Sequence, residues 1–373
     1  MRVLYFTRDY TPHDHRFLSA LAKTEHEVYF LRLERRGHSQ EDRPVPEQVQ
    51  QVLWRGGQQP AKRKDGLALL VDLRRVIRKI QPDVIHAGPI QTCALLTALS
   101  GFHPLVSMSW GSDLLKDADR DWTWRWATKY TLKHTDVLVG DCRAVQEKAA
   151  AFGFPAERVV LFPWGVDLEK FTPGKNEAYR ERHGWQDKFV ILSLRSWAPL
   201  YGVDNVVRAF AHAVQVEPNL RLLLPGNGPQ APLIHRIVHT HELEDKVLFA
   251  GQISNRELAH IYQAADLYLS ASHSDGSSVS LMEALGCGLP VLVSDIPGNK
   301  EWITEGQEGW LFPDGDETAL AEGILHAYEA RKNSQVMRIA SRKLAEERAD
   351  WNKNFAKNLE AYEMARKRVH RLP

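Results

Sequence analysis

Short apolar runs separated by longer amphipathic stretches recur along the whole chain, and this alternation most narrows what it can fold into. In the first half, Val3–Thr7, Val28–Leu33, Val52–Trp54, Asp83–Ala87, Leu105–Ser109 and Asp136–Gly140 read as strands. Helical spacing falls between them, at Asp14–Lys23, Leu67–Ile80, Ile90–Ser100 and Trp122–His134. A brief apolar run bounded by helices predicts a strand covered on both faces, the signature of parallel β-α units. The second half repeats the pattern. Phe189–Arg195, Leu220–Pro225, Val247–Gly251, Leu267–Ser270 and Val291–Ser294 read as strands, and Val203–Val216, Pro229–His241, Arg256–Ala264, Val279–Gly286 and Thr318–Ala330 as helices.

At 373 residues the chain is long for one domain and suits two. The expected fold is α/β, with two Rossmann-like parallel-sheet domains facing a central cleft. Their expected bounds are 1–164 and 165–350. The turn-rich segments Pro163–Asp167 and Phe171–Gly174 read as the linker, and Gly37–Pro46 as a loop. The last helix, Trp351–Val369, sets Trp351, Phe355, Leu359, Tyr362 and Val369 on one stripe. That stripe predicts a helix crossing back onto the first domain, so 351–373 is counted with it. Ligands in such sheets bind at the carboxyl ends of the strands.

Composition removes several functions. Lys and Arg number 48 against 47 Asp and Glu, so the basic excess of a nucleic-acid binder is missing. Residues 1–165 hold 24 basic and 19 acidic side chains, for +5, and the rest hold 24 and 28, for −4. The three cysteines, Cys93, Cys142 and Cys287, are too few and too scattered for a disulfide framework, which fits a reducing cytosol. No apolar run approaches the ~18 residues of a membrane span, and the opening apolar run is shorter than a signal-peptide core. The expectation is a soluble cytoplasmic protein.

Chemistry concentrates in the stretch Ser270–Pro290, which leaves a strand and opens a helix near Ser278. Gly276 lets backbone approach a ligand, and the amides of Gly276, Ser277 and Ser278 face outward at the helix start, an arrangement suited to phosphate. Asp275 in the loop and Glu283 two turns into the helix could grip different hydroxyls of a sugar-like ligand. A purely structural account is equally open here: Ser280–Glu283 matches a capping box, and Asp275-Gly276 an ordinary turn.

This stretch resembles the Glu-x7-Glu motif of retaining GT-B glycosyltransferases, especially glycosyltransferase family 4, with Asp275 in the first Glu position and Glu283 in the second. Ala284–Val291 is similar to that family's Ala-Met-Ala-x-Gly-x-Pro-Val. Leu192–Arg195 with Pro199 and Gly202–Asp204 resembles the segment opening its second domain. Leu224–Pro229 and Val247–Gly251 match two further strand-end loops, and Pro163–Asp167 with Phe171 its interdomain segment. In the first domain Asp83–His86 and Trp110–Asp113 are the anchors. Departures accompany these matches. The loop Asp9–Arg16 lacks the family's paired glycines, Tyr201 precedes Gly202 where a phosphate lysine is usual nearby, and Trp110-Gly111 replaces His-Gly.

The resemblance implies an acceptor-binding first domain and a donor-binding second domain. The implied reaction is metal-independent, retaining transfer of a hexose-type sugar from a nucleotide-diphosphate sugar to an acceptor hydroxyl. It takes a front-face route without a protein nucleophile. No cofactor is implied beyond that co-substrate, with UDP-sugar slightly favoured over GDP-sugar. Arg195 and Asp275 are the implied catalytic residues. Donor contacts fall to Arg195, Gly226, Ile253, Asp275, Gly276, Ser277, Ser278 and Glu283, and acceptor contacts to His13, His86, Trp110 and Asp113. A nucleotide-sugar 2-epimerase and a non-catalytic nucleotide-sugar binder are the alternatives.

Three weaker signals read differently. Asp117-Ala118-Asp119 mimics a metal-binding Asp-x-Asp, but its acids suit a helix start, and no metal site is expected. In His13-Asp14-His15, Asp14 is either a helix cap or part of a cleft contact. Trp122, Trp126 and Tyr130 form an i, i+4, i+8 stripe read as core. The same aromatics, with Lys133, Lys62–Lys64, Arg74, Arg75, Arg78 and Lys79, leave peripheral contact with the inner face of a membrane open. The acceptor and the oligomeric state stay undefined by sequence.

Overall fold

The apolar runs become two all-parallel sheets. The computed structural model describes residues 1–35 and 41–369, and the chain forms two compact units, Met1–Phe162 with the segment from Phe355, and Pro163–Asn354. The first unit holds β1 (Arg2–Thr7), β2 (Glu27–Arg32), β3 (Val49–Gln51), β4 (Val84–Ala87), β5 (Leu105–Met108), β6 (Val137–Gly140) and β7 (Val159–Leu161), in the order β3-β2-β1-β4-β5-β6-β7. Val3 of β1 pairs with Val28 on one side and Val84 on the other, and Val3 through Phe6 are at most 1% exposed. Burial on both faces explains why the run is continuous rather than alternating.

The second unit holds β8 (Phe189–Leu192), β9 (Leu220–Pro225), β10 (Val247–Gly251), β11 (Leu267–Ser270), β12 (Val291–Ser294) and β13 (Gly309–Phe312), in the order β10-β9-β8-β11-β12-β13. The Val203–Val216 helix buries Val203, Val206, Val207, Phe210 and Val214 against Ile191, Leu222 and Leu269. Gly202 stands before it at φ 56°, where a Cβ would lie 2.3 Å from the Ala271 carbonyl oxygen. Only glycine lets this helix start so close to the loop after β11. Each sheet reverses its order once, at β1/β4 and at β8/β11. Such a reversal opens a crevice at the strands' carboxyl ends.

Several expectations shift. The edge strand beside β2 is Val49–Gln51, not Val52–Trp54, and the first strand of the second unit stops at Leu192, before Arg195. Strands β7 and β13 and the helices Arg143–Ala151 and Ser334–Arg348 went unread. Pro163–Asp167 begins where the first unit ends at Phe162, and it is packed rather than solvated. Trp164 and Val166 are buried, and Val166 gives its N–H to Ala349 O at 2.7 Å and accepts from Trp351 N at 3.1 Å. Phe171 likewise packs edge-on to Tyr262. Of the proposed loop Gly37–Pro46, positions 37–40 lie outside the described residues, as do 370–373.

The aromatic stripe of the Trp122–Lys133 helix is not core. Trp122 is 80% and Trp126 52% exposed, whereas Ala127, Thr128, Thr131 and Leu132 are buried. The inward face is chosen by hydroxyls: Thr131 Oγ1 donates to Ile90 O at 3.1 Å, and Gln91 Nε2 to Thr128 Oγ1 at 2.9 Å. Small residues that satisfy buried backbone therefore outcompete two indoles. Among the described residues no helix is long and apolar enough to cross a membrane.

The Trp351–Val369 helix docks on the first unit from Phe355 onward. The Phe355 ring lies 6.3 Å from that of Phe17, and the Tyr362 hydroxyl meets His86 Nδ1 at 2.7 Å. The buried face is completed by Asn358, Ala361 and Ala365, while Trp351, Leu359 and Val369 stay partly exposed. His86 is fully buried among Tyr5, Phe17 and Tyr362, and burial pushes its pKa down to about 3. The folded imidazole is therefore neutral at every pH between about 3 and 6.5, whereas the unfolded one gains a proton below 6.5. Stability from this group is complete above pH 6.5 and falls with pH through that window, by on the order of 1.4 kcal/mol per unit. Nearby Asp14, raised to about 6 by burial, acts oppositely, so the comparison must be with a variant that keeps it. Urea unfolding of the first unit should lose roughly 2 kcal/mol more between pH 7 and pH 5 in wild type than in His86→Gln. Equal losses in both proteins would refute the assignment.

Candidate functional site

Because β8 and β11 are neighbours, the loops leaving their carboxyl ends meet, and these loops carry Arg195 and Asp275. Arg195 Nη2 lies 2.6 Å from Asp275 Oδ2, and Nη1 donates to Ser278 Oγ at 2.7 Å and Ser280 Oγ at 3.1 Å. The guanidinium carbon stands 4.2 Å from the Tyr201 ring centroid, a cation–π contact. The two charged side chains are 12% and 20% exposed, so they are shielded but reachable. Burial works against the arginine's charge. Asp275, aided by the tyrosines around it, overcomes burial and holds the guanidinium above its usual pKa.

The loop is shaped from beneath. Asp275 Oδ1 accepts the Gly276 N–H at 3.0 Å, and the Asp275–Gly276 peptides rest on Gly298, where a Cβ would come 2.4 Å from Gly276 O. Ser277 Oγ accepts from Trp302 Nε1 at 3.0 Å. Ser278 is the extended residue before the Val279–Gly286 helix, yet its hydroxyl makes no capping bond and meets Arg195 instead. Ser280 lies inside that helix, so the capping box does not form. Glu283 is 5% exposed and its Oε2 accepts the Tyr262 hydroxyl at 2.9 Å. Burial and this carboxylate push Tyr262 well above a free phenol.

On the other flank of β8, the loop after β9 brings in Gly226 at φ 107°, where a Cβ would stand 3.1 Å from Arg195 O and 3.6 Å from Trp197 Nε1. Trp197 was not singled out from sequence. It is 3% exposed and packs edge-on to Phe249 and His235. Its Nε1, with Ser193 Oγ, Arg195 Nε and Gln230 Oε1, is buried and has no hydrogen-bond partner among the described residues. Buried polar atoms normally have partners, so four orphans on adjoining loops mark a place where a ligand's polar groups would fit. The readable signal was an indole in a post-strand loop flanked by Arg195 and Gly202. Ile253 is half-buried after β10, outside this bond network.

In the first unit the four acceptor-side residues separate. His13 and Trp110 come together, with ring centroids 5.4 Å apart and both half-buried. His86 does not join them: it is 0% exposed, and its nitrogens face Tyr362 and Met108 Sδ. Nor does Asp113. Its carboxylate accepts from Ser109 Oγ at 2.7 Å, Trp110 N at 2.9 Å, Leu114 N at 3.0 Å and Ile90 N at 3.0 Å. Burial raises its pKa against those bonds. Both are buried and bonded within the first unit, and a polar residue beside a motif anchor reads alike whether it faces a ligand or the interior. Asp14 caps its helix through a reciprocal box with Thr11, and Asp119 is taken by Lys148 and Arg125. Among the described residues no three His, Cys, Asp or Glu side chains gather as a metal site.

Comparison with known proteins bears on the family and the fold. Residues 13–170 match the family model Glycosyltransferase Family 4, and residues 175–344 match Glycosyl transferases group 1. The GtfA subunit of the Streptococcus pneumoniae UDP-N-acetylglucosamine–peptide N-acetylglucosaminyltransferase is 34% identical over 188 residues, 50% of this chain and 35% of that protein. A D-inositol 3-phosphate glycosyltransferase of Xylanimonas cellulosilytica is 29% identical over 246 residues, 63% of this chain and 58% of the other. The matches thus span between about one third and three fifths of these relatives. Among solved structures, Anabaena HepE in complex with UDP and glucose superposes with a TM-score of 0.79 at 19% identity, over 97% of this chain and 100% of that one. Two doubly wound sheets of this kind, matched in chain order by both family models, place this chain in glycosyltransferase family 4 (glycosyl transferases group 1), with the GT-B fold.

Proposed function

We propose that this chain is a retaining glycosyltransferase that moves a hexose-type sugar from a nucleotide-diphosphate sugar, UDP-sugar before GDP-sugar, to an acceptor hydroxyl. It works without a metal ion or further cofactor. The observation carrying this reading is Arg195, fixed at the sheet's order reversal by Asp275, Ser278 and Ser280. A guanidinium presents a planar fork matched to phosphate oxygens. The names of GtfA, with its UDP-sugar, and of HepE, with bound UDP and glucose, add support for the donor.

A chain of events follows from the geometry. An arriving diphosphate competes with Asp275 for Arg195 and meets the Gly276, Ser277 and Ser278 amides. Asp275, relieved of its ion pair, accepts hydroxyls of the sugar. Glu283, oriented by Tyr262, accepts from the nucleotide ribose, Gly226 lets the phosphates approach, and Ile253 borders the base. As the bond from the anomeric carbon to phosphate oxygen breaks, charge grows on the leaving diphosphate and Arg195 stabilises it. The acceptor oxygen bonds to the same face of that carbon, and its proton passes to the departing phosphate. No protein nucleophile is needed. The acceptor is met by the first unit through His13 and Trp110. The protein acts in the cytoplasm.

The outward turn of Trp122 and Trp126 also supports peripheral contact with an anionic membrane. Arg125, Lys129 and Lys133 share their exposed stripe, and Leu67 and Val71 are exposed on the Gly66–Ile80 helix, which also presents Arg74, Arg75, Arg78 and Lys79. Indoles beside cations suit the boundary between headgroups and water.

Arg195→Ala should lower turnover by about 10²–10³-fold while leaving the circular-dichroism melt close to wild type. Acceptor-dependent release of nucleoside diphosphate is the readout, and unchanged kinetics would remove Arg195 from its role. Release or epimerisation without acceptor would point to a 2-epimerase, and tight donor binding without turnover to a non-catalytic binder. In flotation with phosphatidylglycerol vesicles, wild type should rise with the lipid and Trp122→Ala/Trp126→Ala should largely stay behind. Wild type remaining with the soluble fraction at low salt would end the membrane reading.

A further inference from the structure

At the amino-terminal ends of β8, β11 and β12, away from the Arg195 loops, the second unit holds a cavity of about 950 Å³. Its lining includes six lysines and arginines against three carboxylates. Two of those carboxylates are engaged. Asp266 holds the Arg180 guanidinium and the Val190 N–H, and Glu346 accepts from Arg342 Nε at 2.7 Å. The third, Asp187, is exposed to solvent. Half the cations are also engaged: Lys175 pairs with Glu177, Lys343 with Glu347, and Arg342 with Glu346 and the carbonyls of Phe171 and Gly286.

Three remain: Lys188, Arg331 and Arg338 have no carboxylate within 4.0 Å among the described residues. Lys188 Nζ reaches Asn219 Oδ1 at 2.8 Å, and Arg331 lies 3.6 Å over the Tyr328 ring and bonds its carbonyl. Arg338 is the most exceptional. It is half-buried on the Ser334–Arg348 helix, and its side chain's one hydrogen bond among the described residues is a 3.4 Å contact to Gly288 O. Burial and the neighbouring Arg180 work against its charge, and Asp266, already held by Arg180, offsets them only in part. A sheltered guanidinium without an anion gains strongly from one. Beside it the cavity wall is apolar and aromatic, with Phe189 edge-on to Tyr328 at 5.6 Å.

We propose that this cavity is a second ligand site, for a small phosphorylated metabolite. Its phosphate is held by Arg338 with Arg331 and Lys188, and its organic body lies on Phe189 and Tyr328. The site shares no residue with the candidate donor site and stands whether or not that reading holds.

Calorimetry with inorganic pyrophosphate separates the two sites in an Arg195→Ala background, where the donor-side guanidinium is gone. That protein should still bind about one pyrophosphate per chain, and adding Arg338→Gln should weaken binding tenfold or more, the worth of one charge-assisted bond. Lys188→Gln should weaken it less, and serves as the readout if Arg338→Gln fails to fold by its thermal melt. Adenosine monophosphate should bind more tightly than inorganic phosphate, with that advantage reduced in Tyr328→Ala. Absence of pyrophosphate binding in Arg195→Ala, or affinity untouched by both Arg338→Gln and Lys188→Gln, would overturn the proposal.

Discussion

The order reversal between β8 and β11 is the constraint on which the candidate site depends. It makes two distant segments, 80 residues apart at Arg195 and Asp275, leave the sheet side by side. Every other member follows from that adjacency. Ser278 and Ser280 meet Arg195 because their helix begins where the β11 loop ends, and Gly226 approaches because β9 flanks β8 on the other side. Close approach is then enforced by absent side chains: Gly202 against Ala271 O, and Gly298 against Gly276 O. Sub-3 Å distances at a built Cβ mean that alanine at either position would have to push backbone aside.

The first unit shares the reversal but uses it differently. On β4 the buried His86 ring meets Tyr5 of the neighbouring β1, Phe17 and, from the last helix, Tyr362 edge-on. A neutral imidazole there costs little, because its nitrogens meet a hydroxyl and a sulfur. Asp113 plays the parallel part for backbone, gathering four donors at the start of the Ser112–Leu115 turn. What stays near the surface is the His13–Trp110 pair.

How much of this was legible depended on what each residue must satisfy. Strand cores were readable because double-sided burial demands an unbroken apolar run, as in Val3–Phe6 and Leu267–Ser270. Arg195, Asp275 and the serines stand out because their spacing repeats a motif, and the structure brings them within hydrogen-bond distance of one another. His86 and Asp113 read as acceptor-side candidates but lie buried and bonded internally, because burial is invisible in a polar letter. The Trp122–Lys133 helix misled for the opposite reason, since its apolar period belongs to the outward face while threonines fill the inward one. The helix Ser334–Arg348 went unread because only Ser341 and Ala345 of it are buried, which leaves almost no hydrophobic period. For Trp197 the sequence offers only an indole in a loop between Arg195 and Gly202, and that its N–H has no partner among the described residues emerges only once its surroundings are known.

The two ends of the second sheet solve the burial of arginine differently, and the difference carries chemical meaning. Arg180, 3% exposed, is neutralised by Asp266 and capped by the Ala264 carbonyl at 2.9 Å. That saturated pair is structural, because breaking it would strand a buried charge. Arg195 is neutralised by an acid on a loop rather than at a strand's edge, and its Nε is left over. A partly shielded ion pair recovers little net stability after desolvation, so stability alone gives weak reason to keep it. Its arrangement makes better sense as a guanidinium held in one orientation by a partner that an incoming dianion can displace. Arg338 differs from both: it is sheltered and has no carboxylate within 4.0 Å among the described residues, the nearby Asp266 being held by Arg180. The Arg180 and Arg195 side chains each make three hydrogen bonds and that of Arg338 makes one, so most of the Arg338 cation's field remains for something the protein does not encode.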